Sequence, residues 1–250
     1  MYKSSFLGTG NMKTAVISDI HANLEALQAV LDHADTAGVD DYVCLGDIVG
    51  YNADPDACVD VIRNMPNMRC ILGNHDAMAV GEGPLLGINA QAHAAITWTR
   101  EKLGAERKVW LAGLPMIIAD ADATYCHASL DEPSAWHYVN SSLDAARHFA
   151  HQETRLSFIG HSHMMFAWYE HGSTLARVVE AEVDTAIGDR WLVSVGSVGQ
   201  PRDHDPRAGY AVFDHETGGV TQIRLEYDVA AAQRKILESG LPAALAERLE

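Results

Sequence analysis

Met68-Arg69-Cys70-Ile71-Leu72-Gly73-Asn74-His75-Asp76 is the stretch that orders the rest of the 250-residue chain: a strand-like run passes straight into a glycine and three polar side chains. A strand that stops at such a cluster sets those side chains on the loop beyond its carboxyl end, where open α/β sheets bind ligands. The arrangement recurs. Thr14-Ala15-Val16-Ile17-Ser18 ends at Asp19-Ile20-His21, and Asp41-Tyr42-Val43-Cys44-Leu45 ends at Gly46-Asp47. Ala123-Thr124-Tyr125-Cys126 ends at His127, and Leu156-Ser157-Phe158-Ile159 ends at Gly160-His161-Ser162-His163. Taken singly, each has a plainer reading: a loop Asp capping a helix, an Asn turn beside a surface His, or a strand-end His satisfied by its neighbours. All five together, in order and each behind a strand, are far less readily accidental than any one.

Carboxylate, carboxamide and imidazole are the groups that hold first-row divalent metals, and two histidines one residue apart on an irregular turn can aim at two different ions. In a regular strand they would share a face. At these residues the chain resembles the calcineurin-like metallophosphoesterase superfamily, whose motifs run DxH, GD, GNH(D/E), H and GHxH. The similarity extends from the strand before Asp19 to the late strands around Ser197. It implies an α/β fold, a four-layer αββα sandwich of two mixed sheets flanked by helices, and a binuclear metal-dependent hydrolase of phosphoric esters. By the same resemblance, Asp19, His21 and His163 hold one divalent ion, Asn74, His127 and His161 hold the other, and Asp47 bridges them. A solvent oxygen between the ions is then the nucleophile. His75 serves as general acid or charge stabiliser at the leaving oxygen, with Asp76 orienting its ring and favouring the cationic form. Mixed oxygen and nitrogen ligation favours manganese, iron, zinc or nickel over magnesium or calcium.

One departure narrows the expectation. Serine/threonine phosphatases of this superfamily continue the second motif with Asp-Arg-Gly, whereas here Asp47 is followed by Ile48-Val49-Gly50-Tyr51-Asn52. The phosphate-gripping arginine is missing at that place, which points to the small prokaryotic phosphodiesterase-like branch and to a phosphodiester or small nucleotide as substrate. Related prokaryotic enzymes carry a stretch similar to Gly196-Ser197-Val198-Gly199-Gln200-Pro201-Arg202, and Arg202 is the candidate substitute for that arginine. The plainer reading pairs Arg202 with Asp203 or Asp205 in a surface loop. A dinucleoside polyphosphate hydrolase and a non-catalytic metal-binding scaffold of the same fold remain as alternative functions.

The 34 acidic against 18 basic residues give a formal net charge of −16, which disfavours extended nucleic-acid binding. A small phosphoester can still enter, because bound cations reverse the sign locally. No apolar run approaches membrane-spanning length, and no linker divides the chain, so one domain is expected over residues 12–250, with oligomeric state open. Residues 1–11 read as an added leader or alternative start without chemistry of its own. Cys44, Cys58, Cys70 and Cys126 lack metal-binding spacing and read as buried small hydrophobes in a reducing cytoplasm. Helices are expected over Asn23 to Ala37, over Asp54 to Asn64 with Asp54 as N-cap and Pro55 at N1, and over Asn89 to Ala112, with Trp98, Leu103, Val109, Trp110 and Leu111 as core. Short strands from Leu156 onward predict an added mixed or antiparallel sheet, followed by helices over Ala230 to Ser239 and Pro242 to Glu250. His33, His93, His148 and His151 read as surface or half-buried residues, and His137 and His204 as residues at the rim of the site.

Overall fold

Strand β1 (Lys13–Ile17) buries its last four residues completely, which requires cover on both faces. In this computed structural model, which describes residues 12–81, 83 and 85–250, the alternation of the strand supplies that cover from two sides. Ala15 and Ile17 pack against helices α1 (Leu24–Thr36) and α2 (Pro55–Asn64), while Val16 joins a core shared with a second sheet. β1 runs parallel to β2 (Asp41–Cys44), which runs parallel to β3 (Met68–Cys70). Its other edge is antiparallel to β11 (Ala208–Asp214), followed outward by β12 (Gly219–Leu225) and β9 (Glu182–Asp184).

The second six-stranded sheet has the order β4 (Ile117–Ala119), β5 (Ala123–Cys126), β6 (Leu156–Ile159), β10 (Arg190–Val195), β7 (Met165–His171), β8 (Thr174–Val178). Strands β5, β6 and β10 are mutually parallel. Between the sheets, Tyr125 and Phe158 are register partners whose rings stack at 5.5 Å. Burying each such aromatic stabilises the fold by roughly 2–3 kcal/mol. Helix α6 (Ser142–His151) covers the far face of the second sheet through Ala145 and Phe149. Helices, sheet, sheet and helix give the expected four layers.

Several local expectations change. The late strands do not form a sheet of their own: β11, β12 and β9 extend the first sheet, whereas β6, β10, β7 and β8 build the second. Strand type is legible locally, but partner choice rests on long-range pairing. Asn74, His75 and Asp76 do not lie on a loop but open helix α3 (Asn74–Val80), because Gly73 serves as its N-cap directly after the strand. The stretch from Asn89 to Ala112 is two helices, α4 (Ala90–Lys102) and α5 (Ala105–Ala112), separated at Leu103-Gly104. On α5 Leu111 is buried but Val109 is 75% exposed, because a short helix presents only one stripe to the core. Asp54 occupies the N-cap position of α2 without a capping bond. Its carboxylate instead accepts from Lys235 Nζ at 2.6 Å, tying down helix α7 (Val229–Glu238), after which α8 (Ala243–Glu247) follows.

His148 is fully buried rather than half-exposed, taking a bond from the Leu130 N–H at Nδ1 and facing Ser157 Oγ at 2.9 Å. His33 is half-buried against Tyr210, and His93 and His151 are exposed. All four cysteines are buried and free. The leader expected over residues 1–11 lies outside the described residues. Among the described residues, no helix is long and apolar enough to cross a membrane.

Candidate metal centre

The loops beyond β1, β2, β3, β5 and β6 converge on one place, and their backbone is unusual there. Asp19, His21, Asp47, His161 and His163 all have positive φ, between 49° and 62°, a region that non-glycine residues seldom occupy. Such strain persists only where surrounding structure holds it, and it clusters at functional sites. Part of that hold is close packing through glycine. A Cβ on Gly73 would stand 2.2 Å from the backbone nitrogen and Oδ1 of Asp47, and one on Gly50 would stand 2.6 Å from His75 Nδ1. The glycines of the second and third motifs therefore let the candidate ligands approach one another.

Asp19, His21 and His163 form one group whose ligand atoms lie within 4.8 Å of one another, and Asp47, His127 and His161 form a second. All six side chains are buried. Three of the imidazoles are oriented by backbone carbonyls: His21 Nδ1 faces Val49 O at 3.1 Å, His127 Nδ1 faces Leu45 O at 2.8 Å and His163 Nδ1 faces Gln200 O at 2.6 Å. A carbonyl only accepts, so each Nδ1 carries a proton, and a neutral ring then presents a lone pair at Nε2. The Nε2 atoms of His21 and His163 face each other at 3.1 Å, with Asp19 Oδ1 at 3.7 and 3.2 Å. Converging lone pairs repel unless a proton or cation lies among them. Asp19 Oδ1 and His161 Nε2 are in addition buried without a hydrogen-bond partner. This donor set fits divalent cations.

Asp47 stands between the groups. Its Oδ2 lies 3.6 Å from His21 Nε2 and 3.4 Å from His127 Nε2, while its Oδ1 accepts from the His75 N–H at 2.7 Å. Asn74 joins the second group, with Oδ1 3.0 Å from His127 Nε2. The other oxygen of Asp19 accepts from the His161 N–H at 2.9 Å, so each aspartate has one oxygen fixed by a neighbouring motif and the other turned inward. Burial opposes charge on both carboxyls, yet His163 beside Asp19, and His127 and His75 beside Asp47, hold them well below the usual carboxylate range. Burial likewise opposes charge on His127, but Asp47 raises it to about 10. A bound divalent cation competes with that proton.

His75 is also brought here, its ring 4.8 Å from that of His21 and 4.5 Å from that of Tyr51. Asp76, however, does not orient that ring. Its Oδ1 accepts from the Ile48 and Val49 N–H groups and its Oδ2 from the Gly73 N–H, so it latches the second motif to the third. His75 Nδ1 is buried without a partner, and burial pushes its pKa down to about 4, toward the neutral ring rather than the expected cation. Asp76 is itself raised to about 7 by burial and by Asp47.

Arg202 has neither of the carboxylate partners weighed for it. Asp203 pairs with Arg224 and Asp205 with Arg207. Arg202 Nη2 instead donates to Tyr51 Oη and Gln200 Oε1, each at 3.2 Å, with the guanidinium 5.7 Å from the Tyr51 ring centre. His75, Asn74 and Arg202 line one cavity of about 240 Å³, with Tyr51 and Tyr138 among its walls. His137 and His204 border neighbouring cavities. Nothing in the sequence marks Tyr51 or Tyr138 as site residues. Tyr138 stacks on His161 at 4.1 Å from a loop with no motif, and Tyr51 follows the second motif without any chemistry of its own to mark it.

The fold is that of the metallo-dependent phosphatases. Residues 12–218 match the model of the calcineurin-like phosphoesterase superfamily domain, and the chain belongs to that family. It is 38% identical over 240 residues to the uncharacterized protein MJ0912 of Methanocaldococcus jannaschii, covering 94% of this chain and 96% of that one. A metallophosphoesterase from Sphaerobacter thermophilus superimposes with a TM-score of 0.85 at 39% identity, covering 96% of this chain and 98% of the other. Hypothetical protein PH1004 from Pyrococcus horikoshii shares the fold with a TM-score of 0.76 at 24% identity, covering 95% and 97% of the two chains.

Proposed function

We propose that the chain hydrolyses a small phosphoester, a phosphodiester or nucleotide rather than a phosphoprotein, at two divalent cations. Asp19, His21 and His163 would hold one cation, Asn74, His127 and His161 the other, with Asp47 shared. The observation that carries this reading is the position of Asp47 Oδ2 between His21 and His127, together with a cavity that Asn74 of the second ligand group lines along with His75 and Arg202. Such ions, when bound, offset phosphoryl charge and supply an acidified water.

The chain's own residues have separate tasks. Arg202 presents a planar fork of donors to two phosphoryl oxygens, and its bonds to Tyr51 and Gln200 fix the fork in place. His75 donates a proton to the leaving oxygen. An arriving phosphoryl anion favours the protonated ring that burial alone disfavours. Asp76 acts at one remove, holding the backbone that carries Asp47 and His75.

The test is a screen of phosphomonoesters, diesters and nucleotides with protein reconstituted separately with manganese, iron, zinc and nickel, alongside metal analysis. Two bound metals with diester or nucleotide turnover are expected. Bound metal without turnover of any ester would instead mark a non-catalytic scaffold.

A further inference from the structure

The cavity beside the metal centre has a wall from outside the family's shared domain. The family match ends at residue 218, yet Leu245 and Arg248 of the C-terminal helical pair line the cavity together with Arg202 and His75. Its described lining contains two arginines and a histidine and no carboxylate, in a chain with 34 acidic and 18 basic residues. Arg202 and Arg248 also line a neighbouring cavity of about 210 Å³, so both stand where the two cavities meet. Two carboxylates line that second cavity, and both are engaged: Asp205 by Arg207, and Glu250 by Gln233 Nε2 at 3.0 Å.

The wall is firmly placed. Leu245 and Leu249, on either side of Arg248, are each 1% exposed and belong to a core that includes Tyr51, Ala92 and Ile236. Lys235 fastens the preceding helix to Glu25 at 2.5 Å and to Asp54 at 2.6 Å. The residue that steadies Arg202, Tyr51, is thus packed against the same helices that carry Arg248. Arg248 itself is exposed, with no ion pair among the described residues. At about 240 Å³, the first cavity has room for a phosphoryl group and a short arm.

We propose that Arg248 forms a second anion site, next to the Arg202 that takes the reacting phosphoryl group, and that the chain takes phosphoesters bearing a further phosphate-like group on the arm directed toward the C-terminal helices. This specificity rests on the phosphoesterase reading and deepens it. An Arg contributes charge and paired donors, and a gain of about tenfold in affinity for a second phosphoryl group is the scale expected.

The test uses ligands that cannot be hydrolysed. Protein reconstituted with manganese is titrated calorimetrically with butane-1,4-bisphosphonate and with butylphosphonate. The bisphosphonate is expected to bind about tenfold more tightly. Arg248→Ala should abolish most of that preference, and Arg248→Lys should keep part of it because a point charge remains. Equal affinities in the unmodified protein, or a preference that survives Arg248→Ala, would overturn the proposal. Thermal unfolding of both variants checks that the helical pair stays folded. Absence of ester turnover would defeat the phosphoesterase reading by itself, whereas the calorimetric preference judges the second anion site independently.

Discussion

The backbone N–H of His75 donates to Asp47 Oδ1 at 2.7 Å, so the helix turn carrying the candidate proton donor also sets the orientation of the carboxylate between the two metal-ligand groups. Asp76, in the same helix turn, ties the two segments together from the other side through the N–H groups of Ile48, Val49 and Gly73. The second and third motifs therefore behave as one mechanical unit. Displacing either moves both.

Asp47→Asn keeps the shape of the side chain but removes the charge shared by both groups. It is expected to lose at least one metal equivalent and to lower turnover by about a hundredfold or more. Metal analysis of the purified variant beside its kinetics checks this. Two metals per chain with undiminished turnover would rule out a bridging role.

His75→Gln should retain its metals, since the ring of His75 belongs to neither ligand group. The loss of turnover should grow with the basicity of the leaving group, from little on nitrophenyl esters to about a hundredfold on alkyl esters. A uniform loss across such a series would reduce His75 to a positioning residue.

Arg202→Ala is expected to raise KM or lower kcat by about tenfold or more while metal content stays the same, because one charged, bidentate contact to phosphate is lost. Tyr51→Phe should reproduce a smaller part of that effect by releasing the 3.2 Å bond to the guanidinium. Unchanged kinetics in Arg202→Ala would return the side chain to a structural role.

His148 offers a pH test away from the metal centre. Burial pushes its pKa down to about 3, and its bonds to Leu130 and Ser157 keep the ring neutral. In the unfolded chain it titrates near the ordinary value of about 6.5, so between these values the unfolded state binds the extra proton. Stability is therefore lost as pH falls through that window, by on the order of 2–3 kcal/mol at pH ~4.5 from this group. Denaturant unfolding at several pH values should show a steeper acid loss in the unmodified protein than in His148→Gln. Parallel profiles would mean that the buried imidazole does not contribute.

The runs that end at Asp19, Asp47, Asn74, His127 and His161 were legible because strand periodicity and abrupt polar endings are local properties of the chain. So was the helix expected over Asn23 to Ala37, where Leu27, Val30 and Ala34 are buried and Leu24 and Leu31 half-buried. Val109 and His148 depart from expectation because burial depends on which neighbour arrives: α5 turns only one stripe toward α2 and α3, while α6 turns His148 to Ser157 on the second sheet.

The sequence by itself determined the class of chemistry: the types, order and spacing of the polar clusters identify a family and name the residues that could hold metal. Only the tertiary structure decided how those residues act on one another. It placed Asp47 between His21 and His127, turned Asp76 to backbone N–H groups instead of the His75 ring, separated Arg202 from Asp203 and Asp205, and brought Arg248 from the end of the chain to the same cavity. The physical reason is that ligand identity is written in side-chain chemistry at single positions, whereas hydrogen-bond partner, burial and charge environment are set by segments that meet only when the two sheets and the C-terminal helices pack.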